Sequence, residues 1–357
     1  MSVYVCGITP YDAAHAGHAF TYIQFDVFVR YLRHLGAEVR HVQNVTDVDD
    51  DMLRTAGERH VDYLELAERE IRGFERDMRA IGLVPPWESP RATNHVAQMA
   101  EEARALVEAG HGYERDGTVY FRVASDPRYG RLSRYDREEM VRLAAERGGF
   151  PDDPKKDDPL DFVLWQRSAE GEPAWDSPWG PGRPGWHIEC STMARRLLGQ
   201  PVDVHGGGSD LIYPHHESEL AQAEAIQPDP PFVRHWMHTG TVAYRGEKMS
   251  KSLGNLVFVR DLLDRFPAAA VRRVFLLHHY REDWEFRDEE VTAEPHPGEG
   301  PASRDAFFAA LDEDLDIPTA VGILDRAERS GASWSQEGAA LLGLDGLPST
   351  SGGSGSS

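Results

Sequence analysis

Apolar and polar residues follow one another along the chain with periods that change at definite points. VYV at residues 3–5 predicts a buried strand, the stretch from about Gly17 to Leu35 predicts a helix capped by Gly36, and EVRHV predicts a second strand. A strand, a helix and a strand in that order open a parallel sheet. Leu64, Ala67, Ile71, Phe74, Met78 and Ile81 recur three and four residues apart, so they predict an amphipathic helix with these residues as its core face, stopped before Pro85 and Pro86.

From about Pro85 to Pro184 the pattern differs. A helix ends near Gly110, Asp116-Gly117 predicts a hairpin turn before the alternating TVYFRV, and a polar, proline-rich run extends through PDDPKKDDPL. This stretch reads as an insertion that splits a parent domain. Beyond it PVDVH predicts a strand running into three glycines, HHESELAQAEAI a helix and FVRHWMH another strand. EPHPGEGPAS, from Glu294 to Ser303, reads as a linker before a short helical stretch from about Arg304 to Leu342, and STSGGSGSS reads as a flexible tail.

The expected fold is therefore α/β: a Rossmann-like parallel sheet with an inserted connective domain and a short C-terminal helical region. The expected divisions are 1–84 and 185–293 for the two halves of the catalytic domain, 85–184 for the insertion, 304–345 for the helices and 346–357 for the tail. About 40 residues are too few for an independently stable C-terminal domain.

A chain of 357 residues with 40% hydrophobic content can bury a real core. Its 60 acidic and 38 basic side chains give a formal charge of -22, so the mean surface field repels a phosphate backbone unless a local basic groove overrides it. The N-terminus MSVYVCG lacks the features of a secretory signal, and no run approaches the ~20 apolar residues of a membrane span. A cytoplasmic protein is expected.

Both cysteines of the chain lie in segments dense with chemically capable residues: Cys6 opens CGITPYDAAHAGHA, and Cys190 ends GWHIEC. His215 follows Cys190 by 25 positions and Glu219 lies one helical turn on, so two thiolates, an imidazole and a carboxylate could converge on one zinc ion. A disulfide or two inert core thiols is the alternative, and the neighbouring His and Glu favour metal. His15 and His18 in HAGH fall between the first strand and its helix, where amides and the helix dipole favour phosphate; a capping or core role is the plain alternative. Lys248-Met249-Ser250-Lys251-Ser252 offers two ammonium groups and two hydroxyls, suited to a developing pyrophosphate charge or else to an ordinary solvated turn.

Taken together, HAGH and KMSKS resemble the two signature elements of the class I aminoacyl-tRNA synthetase superfamily. CGITPYDAAHAGHA, VQNVTDVDD, GWHIECS, HGGGSDLIYPHHE and KMSKSLGN are similar to its cysteine-activating branch and cover most of residues 3–290. That branch contains cysteinyl-tRNA synthetases and the mycothiol ligases, which join cysteine to glucosaminyl-inositol. GITPYD, Asp51 after NVTDVDD, and ERGGFP at 146–151 resemble the ligases, although Phe150 departs from their pattern. Glu219 matches the fourth zinc ligand of the synthetases instead, and the C-terminal helical region is shorter than either group carries.

The resemblance implies a Zn2+ site of Cys6, Cys190, His215 and, less firmly, Glu219, with an open position for the substrate thiolate. It implies that cysteinyl-adenylate is held by Cys6, Gly7, Ile8, Thr9, Thr21, Asn44, Val45, Thr46, Trp186, Gly208, Ser209, Asp210 and Val242, with Trp186 as an aromatic wall. His15, His18, Lys248, Lys251 and Asp210 are the implied catalytic residues. The implied partners are L-cysteine, ATP with Mg2+, and an amino-sugar acceptor, glucosaminyl-inositol; charging of tRNA is the second reading and a non-catalytic cysteine or nucleotide sensor the third.

Overall fold

A computed structural model describes residues 1–249, 253–293 and 300–348. In chain order it runs β1 (Ser2–Ile8), α1 (Ala16–His34), β2 (Arg40–Val45), α2 (Asp50–Arg59), α3 (Tyr63–Ala80), α4 (Val96–Glu108), β3 (Gly112–Arg115), β4 (Thr118–Phe121), α5 (Arg137–Glu146), β5 (Phe162–Arg167), β6 (Gly182–Pro184), α6 (Trp186–Leu198), β7 (Val202–Gly208), α7 (Glu217–Ile226) and β8 (Val233–Thr239). β9 (Val242–Tyr244), β10 (Glu247–Lys248), α8 (Val259–Leu263), α9 (Ala268–Leu276), β11 (Trp284–Glu285), α10 (Asp288–Thr292), α11 (Arg304–Asp312), α12 (Ile317–Ser330) and α13 (Ser335–Leu341) follow. The chain divides into two compact units: Met1–Tyr11, Arg40–Ala67 and Pro86–Met237 form the first, and Asp12–Val39, Glu68–Pro85 and His238–Ser357 the second.

The first unit holds a four-stranded sheet ordered β2-β1-β7-β8, in which β1 runs parallel to both β2 and β7. Val3, Tyr4 and Val5 are wholly buried, as a central parallel strand covered on both faces requires. A separate four-stranded antiparallel sheet, β3-β4-β5-β6, lies within residues 112–184. Its first turn has Asp116 at φ 53° and Gly117 at φ 84°, the pair of left-handed residues that a tight hairpin needs. All four residues of β4 are buried, so the alternation expected for TVYFRV gives way to a strand packed on both faces.

In the second unit α1 begins at a capped turn and buries most of its length. Arg272 of α9 is fully buried, yet every donor group is occupied: Nη2 on Asp26 at 2.5 Å, Nη1 on the Ile81 carbonyl at 3.0 Å and Nε on the Leu342 carbonyl at 2.7 Å. This fixes α1, α9 and the chain end after α13 to one point, and desolvation makes each of those partners necessary. The C-terminal helices are punctuated by Ser303 and Asp316 as side-chain caps and by Gly331, left-handed at φ 68°. On α3 the expected core face holds for Ala67, Ile71 and Met78, but Leu64 is 48% exposed and Leu66 takes the buried place. No helix of the described residues is long and apolar enough to cross a membrane.

Candidate functional site

Cys6 lies near the end of β1, the strand with neighbours on both sides, and is buried. Gly7, the next residue, donates its amide to Asn44 Oδ1 at 2.8 Å, and a Cβ there would lie 1.5 Å from the Asn44 carbonyl oxygen. Only glycine permits β1 and β2 to approach so closely at the site. Asn44 in turn donates to Thr46 Oγ1 at 3.3 Å, Ile8 pairs with Val45, and the Thr9 carbonyl accepts from the Tyr11 amide at 2.9 Å.

Cys190 comes from α6, whose residues from His187 to Ala194 are all buried. Gly185 makes that entry feasible, since a Cβ there would meet the Val163 carbonyl at 2.0 Å. His215 and Glu219 come from the turn and helix after β7. Tyr213 is extended at φ -136° and ψ 137°, and the chain then winds into α7 from Glu217, so the His215-His216 pair precedes the helix instead of opening it. Gln222 of α7 donates to the His187 carbonyl at 2.5 Å and to Ser191 at 2.7 Å, locking α6 and α7 together behind the thiol.

The outcome is a buried cluster in which one ligand atom each of Cys6, Cys190, His215 and Glu219 lies within 4.8 Å of the others. His215 Nε2 sits 3.1 Å from Glu219 Oε1 and its Nδ1 is 3.0 Å from His187 Nδ1, while the Trp186 indole stacks on it at 4.3 Å between ring centres. Neither cysteine forms a disulfide, so that alternative is not realised. Sequence reasoning missed a second overlapping set: His205 and His216 stand 3.6 and 3.3 Å from Cys6 Sγ, and with Cys6 and Glu219 they form another four-donor group. The His215-His216 doublet was the available signal; His205, in the middle of β7, had none.

Burial, followed by the neighbouring Cys190, raises the Cys6 thiol and the Glu219 carboxyl well above their usual ranges, and burial followed by His187 and His205 pushes His215 well below. Burial also pushes His187 down to about 3. Every one of these groups is thus driven toward its neutral form, which a divalent cation among them would reverse for thiol and carboxyl. Glu219 Oε2 is fully buried and makes no hydrogen bond, with His205 Nε2 standing 3.5 Å away. A soft and borderline donor set of this kind, with a carboxylate oxygen in want of a partner, fits zinc.

Gly208, Ser209 and Asp210 form the end of β7 and a single helical turn after it. Arg147, just beyond α5, donates to the carbonyls of Asp210 and Tyr213 and holds that turn.

The second unit carries the remaining candidates. His15 caps α1, its Nδ1 accepting from the Gly17 amide at 3.1 Å; a Cβ at Gly17 would lie 3.0 Å from the same imidazole, which explains the glycine between the histidines. His18 stacks on His15 at 3.8 Å, and burial first, His15 second, lower its pKa well below the usual value. Its Nδ1 has no hydrogen-bond partner. The Ala16 amide donates to the Val257 carbonyl at 2.8 Å and the Val259 amide to the Ala14 carbonyl at 2.9 Å, so the HAGH turn is zipped to the segment just after KMSKS. Lys248 is exposed at the end of the β9-β10 hairpin, and Asn255 donates to the carbonyls of Tyr244, Glu247 and Lys248 at 3.3–3.5 Å. Thr21 hydroxyl meets Thr239 at 2.8 Å, Val242 is buried in β9, and Lys251 lies outside the described residues.

The parallel sheet, its C-terminal-edge donor cluster and the zipped histidine turn define a class I synthetase-type fold. A solved Mycobacterium tuberculosis methionyl-tRNA synthetase in complex with methionyl-adenylate shares that fold at a TM-score of 0.69, with 18% identity over 96% of this chain and 87% of that one. Residues 1–295 match the family of tRNA synthetases class I (C) catalytic domain, and the chain belongs to it. It is 45% identical to the L-cysteine:1D-myo-inositol 2-amino-2-deoxy-alpha-D-glucopyranoside ligase of Kribbella flavida over 97% of this chain and 89% of the relative. It is 46% identical to a cysteine--tRNA ligase of Thioalkalivibrio sulfidiphilus over 90% and 73%.

Proposed function

We propose that the protein is a cytoplasmic ligase that activates L-cysteine with ATP and transfers it to the amine of glucosaminyl-inositol, in mycothiol biosynthesis. The observation that carries this reading is the cluster of Cys6, Cys190, His215 and Glu219 in a chain that matches such a ligase across nearly the full length of both. Serine differs from cysteine only by oxygen for sulfur, and apolar contacts separate such neighbours by roughly 1 to 3 kcal/mol. Zinc bound by these residues would supply affinity for a thiolate and lower the thiol pKa. Cys6, Cys190 and His215 would hold it, with Glu219 as a further donor, and His187 would orient His215 through the other ring nitrogen.

Trp186 walls the cysteine side chain, and the backbone of Gly7, Ile8, Thr9 and Gly208, with Asn44, Val45, Thr46, Ser209, Asp210, Thr21 and Val242, holds the adenylate. The cysteine carboxylate attacks the α-phosphorus of ATP, a P–O bond forms, the P–O bond to the β-phosphate breaks and pyrophosphate leaves. His15, His18, Lys248 and Lys251 stabilise the charge on the phosphates, with Mg2+ accompanying ATP. The neutral amine then attacks the carbonyl carbon, a C–N bond forms, the C–O bond to the phosphate breaks, AMP departs and the nitrogen releases its proton to a base.

Parallel assays with glucosaminyl-inositol and tRNA test the assignment. AMP release that requires cysteine, ATP and the amino sugar together is the expected result. Cysteine-dependent exchange of pyrophosphate into ATP without consumption of the amino sugar, accompanied by charging of tRNA, would favour the other enzyme; no exchange in zinc-loaded protein would favour a sensor.

A further inference from the structure

Beside Trp186 the first unit opens into a cleft of about 1270 Å³. Trp186 lines it and also stacks on His215, so the cleft starts where the thiol cluster ends. Arg147 lines it too, and its hold on the Asp210 and Tyr213 carbonyls ties the adjoining Gly148–Phe150 segment to the turn after β7. The space exceeds the ~300–1,000 Å³ of ordinary small-molecule sites, leaving room for a ligand of two rings.

Two properties narrow the chemistry of that ligand. The first is charge: Asp49, Asp50, Asp51, Asp62 and Glu172 face the cleft against only Arg54 and Arg147. Arg183 pairs with Glu172 at 2.7 Å and with Asp50, and Arg54 pairs with Asp51, so three arginines offset part of the charge of five carboxylates and still leave an acidic excess; Asp50 and Asp51 are solvent-exposed, where such pairs exchange readily for another cation. Such a wall attracts a cation and repels phosphate. The second is an aromatic ring where none is needed for the core. Phe150 is 71% exposed and sits at φ +47°, a backbone region that bulky residues avoid, just after Gly148 at φ 78°. A strained backbone that presents an apolar ring to water beside a cleft points to a partner with an apolar face.

We propose that this cleft is the acceptor subsite, with the Asp50–Asp51 wall drawing in the amino sugar as its ammonium, which gives its proton to a carboxylate before the neutral amine attacks, and the Phe150 ring packing on the face of one of its two rings. A sugar carries C–H groups on a ring face and hydroxyls at its edge, so one aromatic and several carboxylates suit it together. The proposal rests on the acceptor reading given above, and the test separates the two.

Asp51→Asn, Asp51→Lys, Phe150→Ala and Phe150→Trp are compared with the wild-type enzyme in cysteine-dependent pyrophosphate exchange and in AMP release driven by glucosaminyl-inositol. The KM for the amino sugar should rise in the order wild type, Asp51→Asn, Asp51→Lys, reaching about 10-fold. Phe150→Ala should raise it about 5-fold, and Phe150→Trp should restore it. Exchange should stay within about 2-fold throughout, since neither Asp51 nor Phe150 is among the residues assigned to cysteine or ATP, and this also reports that each variant is folded. An unchanged KM for the amino sugar, or a parallel loss of exchange, overturns the subsite while the acceptor reading stands. A wild-type enzyme that activates cysteine yet never consumes the amino sugar overturns both.

Discussion

The thiol cluster of the first unit and the phosphate-side elements of the second have, in the roles proposed for them, opposite problems to solve. Cys6, Cys190, His215 and Glu219 are 5% exposed or less, and their surroundings suppress charge on Cys6, His215 and Glu219. Lys248 stands in solvent at a hairpin end, and the histidines beside it in the family signature stack on each other at a helix start. Telling sulfur from oxygen requires donors taken out of water and brought within a bond length of one cation. Neutralising a departing pyrophosphate requires cations that reach a large, hydrated anion, so exposure is an asset there. One set is inseparable from the core and the other is not.

Replacing Cys190 by Ser breaks the comparison hardest. Zinc content, read by atomic absorption, should fall from stoichiometric to near zero, and cysteine-dependent exchange should fall on the order of 1,000-fold. Retention of both would refute the metal assignment. Lys248→Ala should lower the exchange rate roughly 100-fold or more while zinc content and melting temperature stay at wild-type values, as expected for an exposed cation; a loss of metal in this variant would show that the two sets are not independent. Glu219→Gln sharpens the buried side: competition with a chelator should reveal zinc affinity weakened ~10- to 100-fold, with the KM for cysteine changing less than the affinity for metal.

The smallest effect concerns His18. Its folded pKa lies below that of the unfolded chain, so between about pH 6.5 and that lower value the unfolded state binds more protons. Stability contributed by neutral His18 is therefore complete above about pH 6.5 and is lost as pH falls. His18→Gln should reduce the drop in melting temperature between pH 7.5 and 5.5 by about one or two degrees. An identical drop in both proteins would contradict the shift.

Much of this was legible before any coordinates. The hairpin at Asp116-Gly117 and the strand and helix of the opening unit follow from local conformational preference, which needs no knowledge of neighbours. The convergence of Cys6 with Cys190, 184 positions later, rested on residue type and resemblance, since spacing alone cannot bring β1 to α6. What failed to show were features decided by packing. Leu64 and Leu66 are equal in hydrophobicity, and only the rotation of α3 against its surroundings exposes the first. β4 reads as half-buried because Thr118 and Tyr120 look polar, yet both find cover. His205 and His216 join the cluster through the fold of β7 and the extended Tyr213, neither of which leaves a mark in the sequence.

The contact of Gly7 with Asn44 limits what evolution or engineering can do at this site. With 1.5 Å between an imagined methyl and the Asn44 carbonyl, even alanine would have to wedge two strands apart, and the thiol one residue away would move with them. The position of the sulfur is thus inherited from main-chain geometry. A library that aims to retune the enzyme toward another nucleophilic side chain can vary the wall and the carboxylate, but it should hold position 7 constant, because a variant there forfeits the ruler by which the site measures its substrate.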